Sequence, residues 1–358
     1  ANQLSKTGLF SNVKYTYTSA GPHITVTFEI EEAPSKIPVI FDNVVWMSDE
    51  ELKAALRADV PEFDGTTTAY AGASDLIAAA LQKVLQARNL PGRVSVRPVF
   101  PIGATTSDPI AFNYSVADPS LNVCALHVSG ASAIPEKDLV GQLNGVIGDS
   151  YSRSFLVAAS SGTLADMYHR LGHWRATFAT PAVALKECNG VAVTLNVNEG
   201  PEYAWDHAVW TGNAALPAPT LDNLLGMKSG EMANASKIGQ GVIAIRGEYG
   251  KHGYLEQAAR YEPQLDDAAR RATFAFTIHE GSQYRMGTLQ FDGIRDADAD
   301  KLRKQWQLKP GDVFDESYMK EYQTKVLDPL RSPSGGRPVL DLMLDHDHQV
   351  ANLTVRVQ

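Results

Sequence analysis

Several stretches of this sequence carry residue types that could do chemistry. Asp345-His346-Asp347-His348 sets imidazoles beside carboxylates, a donor set suited to a transition metal. It falls where an alternating segment turns back on itself, so a solvated turn is the stronger reading. His169 and His173 are four residues apart, but Gly172 stops a helix between them. Gly239-Gln240-Gly241 followed by Ala244 matches a loose dinucleotide-binding pattern. That pattern needs a strand before it, and here a helical periodicity runs through it. Asn113-Tyr114-Ser115 and Asn352-Leu353-Thr354 are formal glycosylation sequons inside alternating segments, where chance is the simpler source. Cys124 and Cys188 belong to no CxxC, HExxH or Cys/His ladder, so a structural zinc site is not indicated. They could form one disulfide, and the sequence leaves that open. No Ser, His and Asp set recurs in a way that suggests a triad. The chain is therefore read as a non-enzyme, with no metal, cofactor or small-molecule substrate.

Composition narrows the classes further. Of 358 residues 44% are apolar, enough for folded cores. Lys and Arg number 32 against 41 Asp and Glu, a formal charge of −9. Nucleic acid and anionic membrane surfaces both select clustered positive charge, so neither is the expected partner. No run of apolar residues is long enough to span a membrane as a helix. No signal peptide is seen, and the opening residues read as the tail of a domain, so a mature or trimmed chain is expected.

The elements repeat. Five segments alternate apolar and polar residues with the period of a half-buried strand: Ile24 to Ile30, Ile110 to Val116, Val191 to Val197, Ala272 to Ile278 and Leu353 to Val357. Their centres, Phe28, Tyr114, Leu195, Phe276 and Val355, recur about every eighty residues. Two glycine landmarks keep the same step. One is Gly130, Gly212 and Gly293, each closing a short strand. The other is Gly65, Gly148, Gly230 and Gly311. Between them the signals are helical. Ser48 to Glu51 reads as a capping box, and Asp75 to Arg88 carries one apolar stripe. Pro135-Glu136, Tyr168 to Leu171, Ile243 to Tyr249 and Tyr318 to Leu327 mark helices at equivalent places.

Each unit therefore reads strand, helix, helix, strand, strand. The expected class is α+β, with a three-stranded sheet covered by two helices in each unit. The expected boundaries are 1–34 for the end of a repeat, then 35–118, 119–200, 201–281 and 282–358. The joints at Pro34, Asp118-Pro119, Gly200-Pro201 and Gly281-Ser282 have linker chemistry, so an elongated, jointed rod is expected. The closing hairpins turn at Ser19 to Pro22 and at Lys186 to Gly190.

This pattern resembles the POTRA (polypeptide-transport-associated) family. The features that carry the likeness are Phe291-Asp292-Gly293 closing a first strand and Gly311-Asp312 between helices. Gly172-His173-Trp174 and Gly253-Tyr254 open second strands, and Asn198-Glu199-Gly200 and His279-Glu280-Gly281 end third strands. The likeness is strongest to the periplasmic arm of BamA- and TamA-type assembly factors. Residues 282–358 resemble the repeat next to the barrel. Two places depart from the pattern, Asn89-Leu90-Pro91-Gly92 and residues 328–338.

The resemblance implies a periplasmic location, tethered to the outer membrane of a Gram-negative bacterium. It also implies partners: unfolded outer-membrane protein precursors, accessory lipoproteins and the protein's own C-terminal β-barrel. Physically, a small sheet offers edges to which an extended client can add as a further strand. The family's second strand is the edge implied. Here that covers Val94 and Val96, then Trp174, Arg175, Ala176, Thr177 and Phe178, then Gln257, Ala259 and Tyr261. The segment from Trp174 is favoured, because it alternates and meets no proline until Pro181. The alternatives are a barrel-free periplasmic scaffold and the arm of a two-partner secretion transporter.

Overall fold

The computed structural model describes residues 10–33, 36–69, 72–101, 108–118, 121–186, 190–330 and 336–357. The expected joints at Pro34 and Pro119, residues 187–189 of one hairpin turn, and residues 331–335 of the departing segment lie outside these. The chain divides into two units, Ala1–Ala165 with Ala176–Glu199, and Asp166–Arg175 with Gly200–Gln358.

The first unit opens with a hairpin of β1 (Phe10–Ala20) and β2 (His23–Glu32). It continues with β3 (Lys36–Phe41), α1 (Asp49–Leu56), β4 (Thr66–Thr68), α2 (Ala73–Ala87), β5 (Arg93–Val99) and β6 (Ala111–Ala117). These strands form a sheet in the order β4-β3-β6-β5. Then come β7 (Asn122–Ser129), α3 (Glu136–Gln142) and α4 (Arg153–Ala159), which runs on through a π-helical turn at Ser160–Leu164. After α5 (Ala165–His169), which spans the division, follow β8 (Thr177–Phe178), β9 (Ala182–Lys186) and β10 (Gly190–Asn198). Strand β10 is central, between β7 on one side and β8 and β9 on the other.

The second unit repeats this plan twice. β11 (Ala204–Thr211), α6 (Ala218–Leu225), α7 (Ala235–Lys251), β12 (Ala258–Asp266) and β13 (Arg271–His279) give a sheet in the order β11-β13-β12. β14 (Arg285–Asp292), α8 (Asp296–Gln305), α9 (Glu316–Tyr322) with a π-helical turn at Gln323–Leu327, β15 (Pro338–Asp345) and β16 (Val350–Val357) give the order β14-β16-β15. In the four sheets built on β6, β10, β13 and β16 the first strand runs parallel to the last, and the strand before the last runs antiparallel to it; β1 and β2 are antiparallel. The α+β class holds throughout, and the strand-helix-helix-strand-strand order holds in the second unit; in the first unit β4 is added between the helices and the second strand is split into β8 and β9.

The local causes are visible. Ser48 accepts from Glu51 N while Glu51 Oε2 accepts from Ser48 N, the reciprocal pair that starts α1. Gly148, Gly230 and Gly311 have φ of +96°, +88° and +93° and donate their N–H to Val123, Trp205 and Met286 at the start of the first strand. A positive φ suits glycine, which explains why this landmark recurs. The central strands bury their alternate residues. Ala272, Phe274, Phe276 and Ile278 are buried on β13, as are Ala351, Leu353 and Val355 on β16. Each such large side chain contributes about 1.5–3 kcal/mol. On β2 the matching residues are open, with Phe28 46% and Ile24 67% exposed, because the described residues place no helix on that hairpin. Cys124 is disulfide-bonded, and Cys188 lies outside the described residues.

Two sequence expectations about the second strands need correction. Trp174 and Arg175 lie in a turn, Ala176 precedes the strand, and β8 contains only Thr177 and Phe178. The strand breaks at Ala179–Pro181 before resuming as β9. Gln257 likewise precedes β12 and is 5% exposed. The cause is Gly172 and Gly253, both at φ +79°, which open a turn of several residues before extended backbone begins.

A candidate strand-addition edge

Edges differ in how regular they are, and regularity decides whether another strand can pair. The first strands β11 and β14 are bulged. The register shifts between Trp205 and Ala208 on β11 and between Met286 and Leu289 on β14. A bulge twists an edge away from pairing. In β14 the bulge is built in, since Asn352 Oδ1 accepts from Thr288 N at 2.9 Å. The second strands β5, β12 and β15 keep an unbroken register, unlike the divided β8 and β9. β12 pairs with β13 over nine consecutive residues, Ala258 to Asp266, without a shift.

The outward-facing groups on these edges follow from the ladder. Val94 gives its N–H to Gln82 Oε1 (2.8 Å), and its partner Val116 gives its own to Asn43 Oδ1 (2.7 Å). That pair makes no ladder bond, so the Val94 backbone faces away from β6. Alternation then turns Val96 and Pro98 outward as well. Proline sits in edge strands with its nitrogen toward solvent. Pro263 faces Phe274 as Pro98 faces Phe112, at the same register. Ala259 and Tyr261 therefore point their N–H and C=O outward from β12.

Side chains give this edge an apolar backing. Tyr261 packs on Phe274 and Phe276 with ring centroids 5.8 and 5.3 Å apart, and burial raises its hydroxyl pKa. Arg260, Glu262 and Gln264 are exposed on the other face.

The other expected residues are placed differently. Val94 and Val96 lie on β5, with Val94 occupied by Gln82. Thr177 and Phe178 pair with Asn198 and Val197 on β10. Trp174 is a docking residue. Its Nε1 donates to Ala233 O, and its ring stacks on His169 at 4.7 Å and meets Phe274 edge-on at 4.9 Å. Arg175 Nε donates to Tyr203 Oη (3.1 Å) and Asp267 Oδ1 (2.8 Å), and Tyr203 also donates to Asp267. Ala176 and Gln257 are buried. Sequence reasoning missed β15, an eight-residue edge blurred by the departing segment before it. Asp345 to His348 forms the turn after β15, where Asp345 accepts from His348 N and Nδ1. Among the described residues no cluster of three or more His, Cys, Asp or Glu could hold a metal. None of their helices is long and apolar enough to cross a membrane.

The chain is similar to known proteins over parts of its length. Residues 203–281 match the POTRA family model, "Surface antigen variable number repeat". Over 170 residues the chain is 24% identical to a protein of Treponema pallidum (strain Nichols) described as an outer-membrane protein assembly factor. That stretch is 45% of this chain and 20% of the relative, so the chain spans about a fifth of the relative's length. Among solved structures, POTRA3–5 of Haemophilus influenzae BamA shows 18% identity over 66% of this chain and 96% of that one, with a TM-score of 0.46. POTRA1–3 of Omp85 from Anabaena shows 17% identity over 66% and 94%, with a TM-score of 0.30. Residues 203–281 thus form a POTRA domain, and the chain is homologous to an outer-membrane protein assembly factor.

Proposed function

We propose that this chain is the periplasmic arm of an outer-membrane β-barrel assembly or translocation factor, and that it holds unfolded client segments by strand addition. The observation that carries the reading is β12, a nine-residue edge in unbroken register whose outward groups at Ala259 and Tyr261 face away from the sheet. Main-chain bonding accepts any sequence, which suits a handler of many precursors. Each bond is worth about 0.5–1.5 kcal/mol net, and ordering the client offsets part of it. Binding at one edge is therefore weak and reversible, as passing a chain onward requires. Accessory lipoproteins and a C-terminal barrel in the same protein complete the proposed setting.

Titration with a labelled peptide of alternating apolar and polar residues tests this. Ala259→Pro removes an outward N–H without removing a ladder bond. It should weaken binding by about two- to tenfold while circular dichroism stays unchanged. Equal affinity in a folded variant would remove β12 as the site.

A further inference from the structure

Two glutamines occupy second-strand edges in the way a neighbouring strand would. Gln82, on α2, donates Nε2 to Gly92 O at 3.1 Å and accepts from Val94 N at 2.8 Å on Oε1. Gln323, in the turn after α9, donates Nε2 to Pro338 O at 3.2 Å and accepts from Leu340 N at 2.8 Å on Oε1. In both cases the bonded groups are the carbonyl of one residue and the N–H two residues later. One residue of an added parallel strand would take that same pair with its own N–H and C=O. A primary amide carries both a donor and an acceptor, so it substitutes for that residue. On β5 little remains after this, because Pro98 has no N–H either and Val96 is the one outward donor left between them.

The POTRA domain at 203–281 lacks this device on β12. Leu90 N bonds to Leu85 O, and Tyr254 N bonds to Tyr249 O, which aligns the ends of α2 and α7. Gln82 stands three residues before Leu85, and Arg246 three before Tyr249. Arg246 is exposed, and a guanidinium has donors but no acceptor, so it cannot close the reciprocal pair. Among the described residues no side chain bonds to the backbone of Ala259 or Tyr261.

We infer that Gln82 and Gln323 are edge guards that turn clients away from β5 and β15 while β12 stays open, and that the residue at position 246 sets whether that edge is open. The inference rests on the strand-addition reading and refines where it applies.

The test uses the full chain in four variants: Gln82→Leu, Gln323→Leu, Arg246→Gln and, as a gentler change that keeps the acceptor, Gln82→Glu. Amide exchange without peptide comes first. Val94 should exchange about fivefold faster in Gln82→Leu, and Leu340 equally so in Gln323→Leu, each amide having lost one bond. Cross-linking with the alternating peptide comes second. Links should map to β12 in the unmodified chain and spread to β5 in Gln82→Leu and, more weakly, in Gln82→Glu. They should spread to β15 in Gln323→Leu and decline at β12 in Arg246→Gln. Unchanged Val94 and Leu340 exchange would show that the guards do not hold the edge. Links on β12 that ignore all four substitutions would overturn the guard role alone. Links to none of the three edges would overturn strand addition together with the inference.

Discussion

Single residues fix this fold where backbone approaches backbone. Gly212 has φ +78°, and a Cβ there would lie 2.2 Å from Ile278 O; Gly130 stands the same way against Val197 O at 2.3 Å. At Gly130 and Gly212 glycine is therefore required twice over, by conformation and by space, whereas Gly293, at φ +68°, is required by conformation alone. Gly212→Ala should cost at least about 2 kcal/mol in urea unfolding, since strain and overlap add. Gly21, at φ +64° with nothing near its Cβ position, should cost only the conformational part. A second residue-scale case is electrostatic. The Thr66 hydroxyl, then Lys36, hold the Asp64 carboxyl down at about 2, from an ordinary 3.8. With the folded pKa depressed, the stabilisation is present above the ordinary value and is lost as pH falls through about 2. Thr66→Val should return the Asp64 titration midpoint, followed by NMR, toward 3.8.

At the scale of elements, period-two alternation made the central strands legible, because β6, β10, β13 and β16 bury one face each. The capping box at Ser48 and the stripe on α2 were legible for the same local reasons. The second strands were harder. Trp174 to Phe178 has strand-like composition, yet the turn after Gly172 takes Trp174 to Ala233 O and Arg175 to Asp267. Those are tertiary contacts, with no local signature. The glutamine guards were illegible for a related reason, since their meaning depends on a register that only folding creates. The same turn position recurs at Glu256, which accepts from Tyr284 Oη at 2.7 Å, while the hydroxyl also meets His346 Nδ1 at 2.7 Å. This explains the conspicuous His346, read from sequence as a solvated turn. Tyr284 is 1% exposed, and burial, then Glu256, push its hydroxyl up to about 12. Tyr284→Phe should lower the stability of the second unit by about 1–3 kcal/mol in denaturant unfolding, since Glu256 loses its donor.

Across the whole molecule the net charge is −9, and the sheet edges present peptide backbone as a surface that a client could pair with. Among the described residues β5, β12 and β15 are regular second-strand edges of helix-covered sheets; glutamine partly occupies β5 and β15, and β12 is open from its start. The central claim is that a client joins the sheet there through main-chain bonds. Amide exchange measured residue by residue, with and without saturating peptide, addresses it most directly. The account predicts that Ala259 and Tyr261 become protected together on peptide addition, while Val94 does not change. Peptide binding that leaves both β12 amides exchanging at their free rates would contradict it.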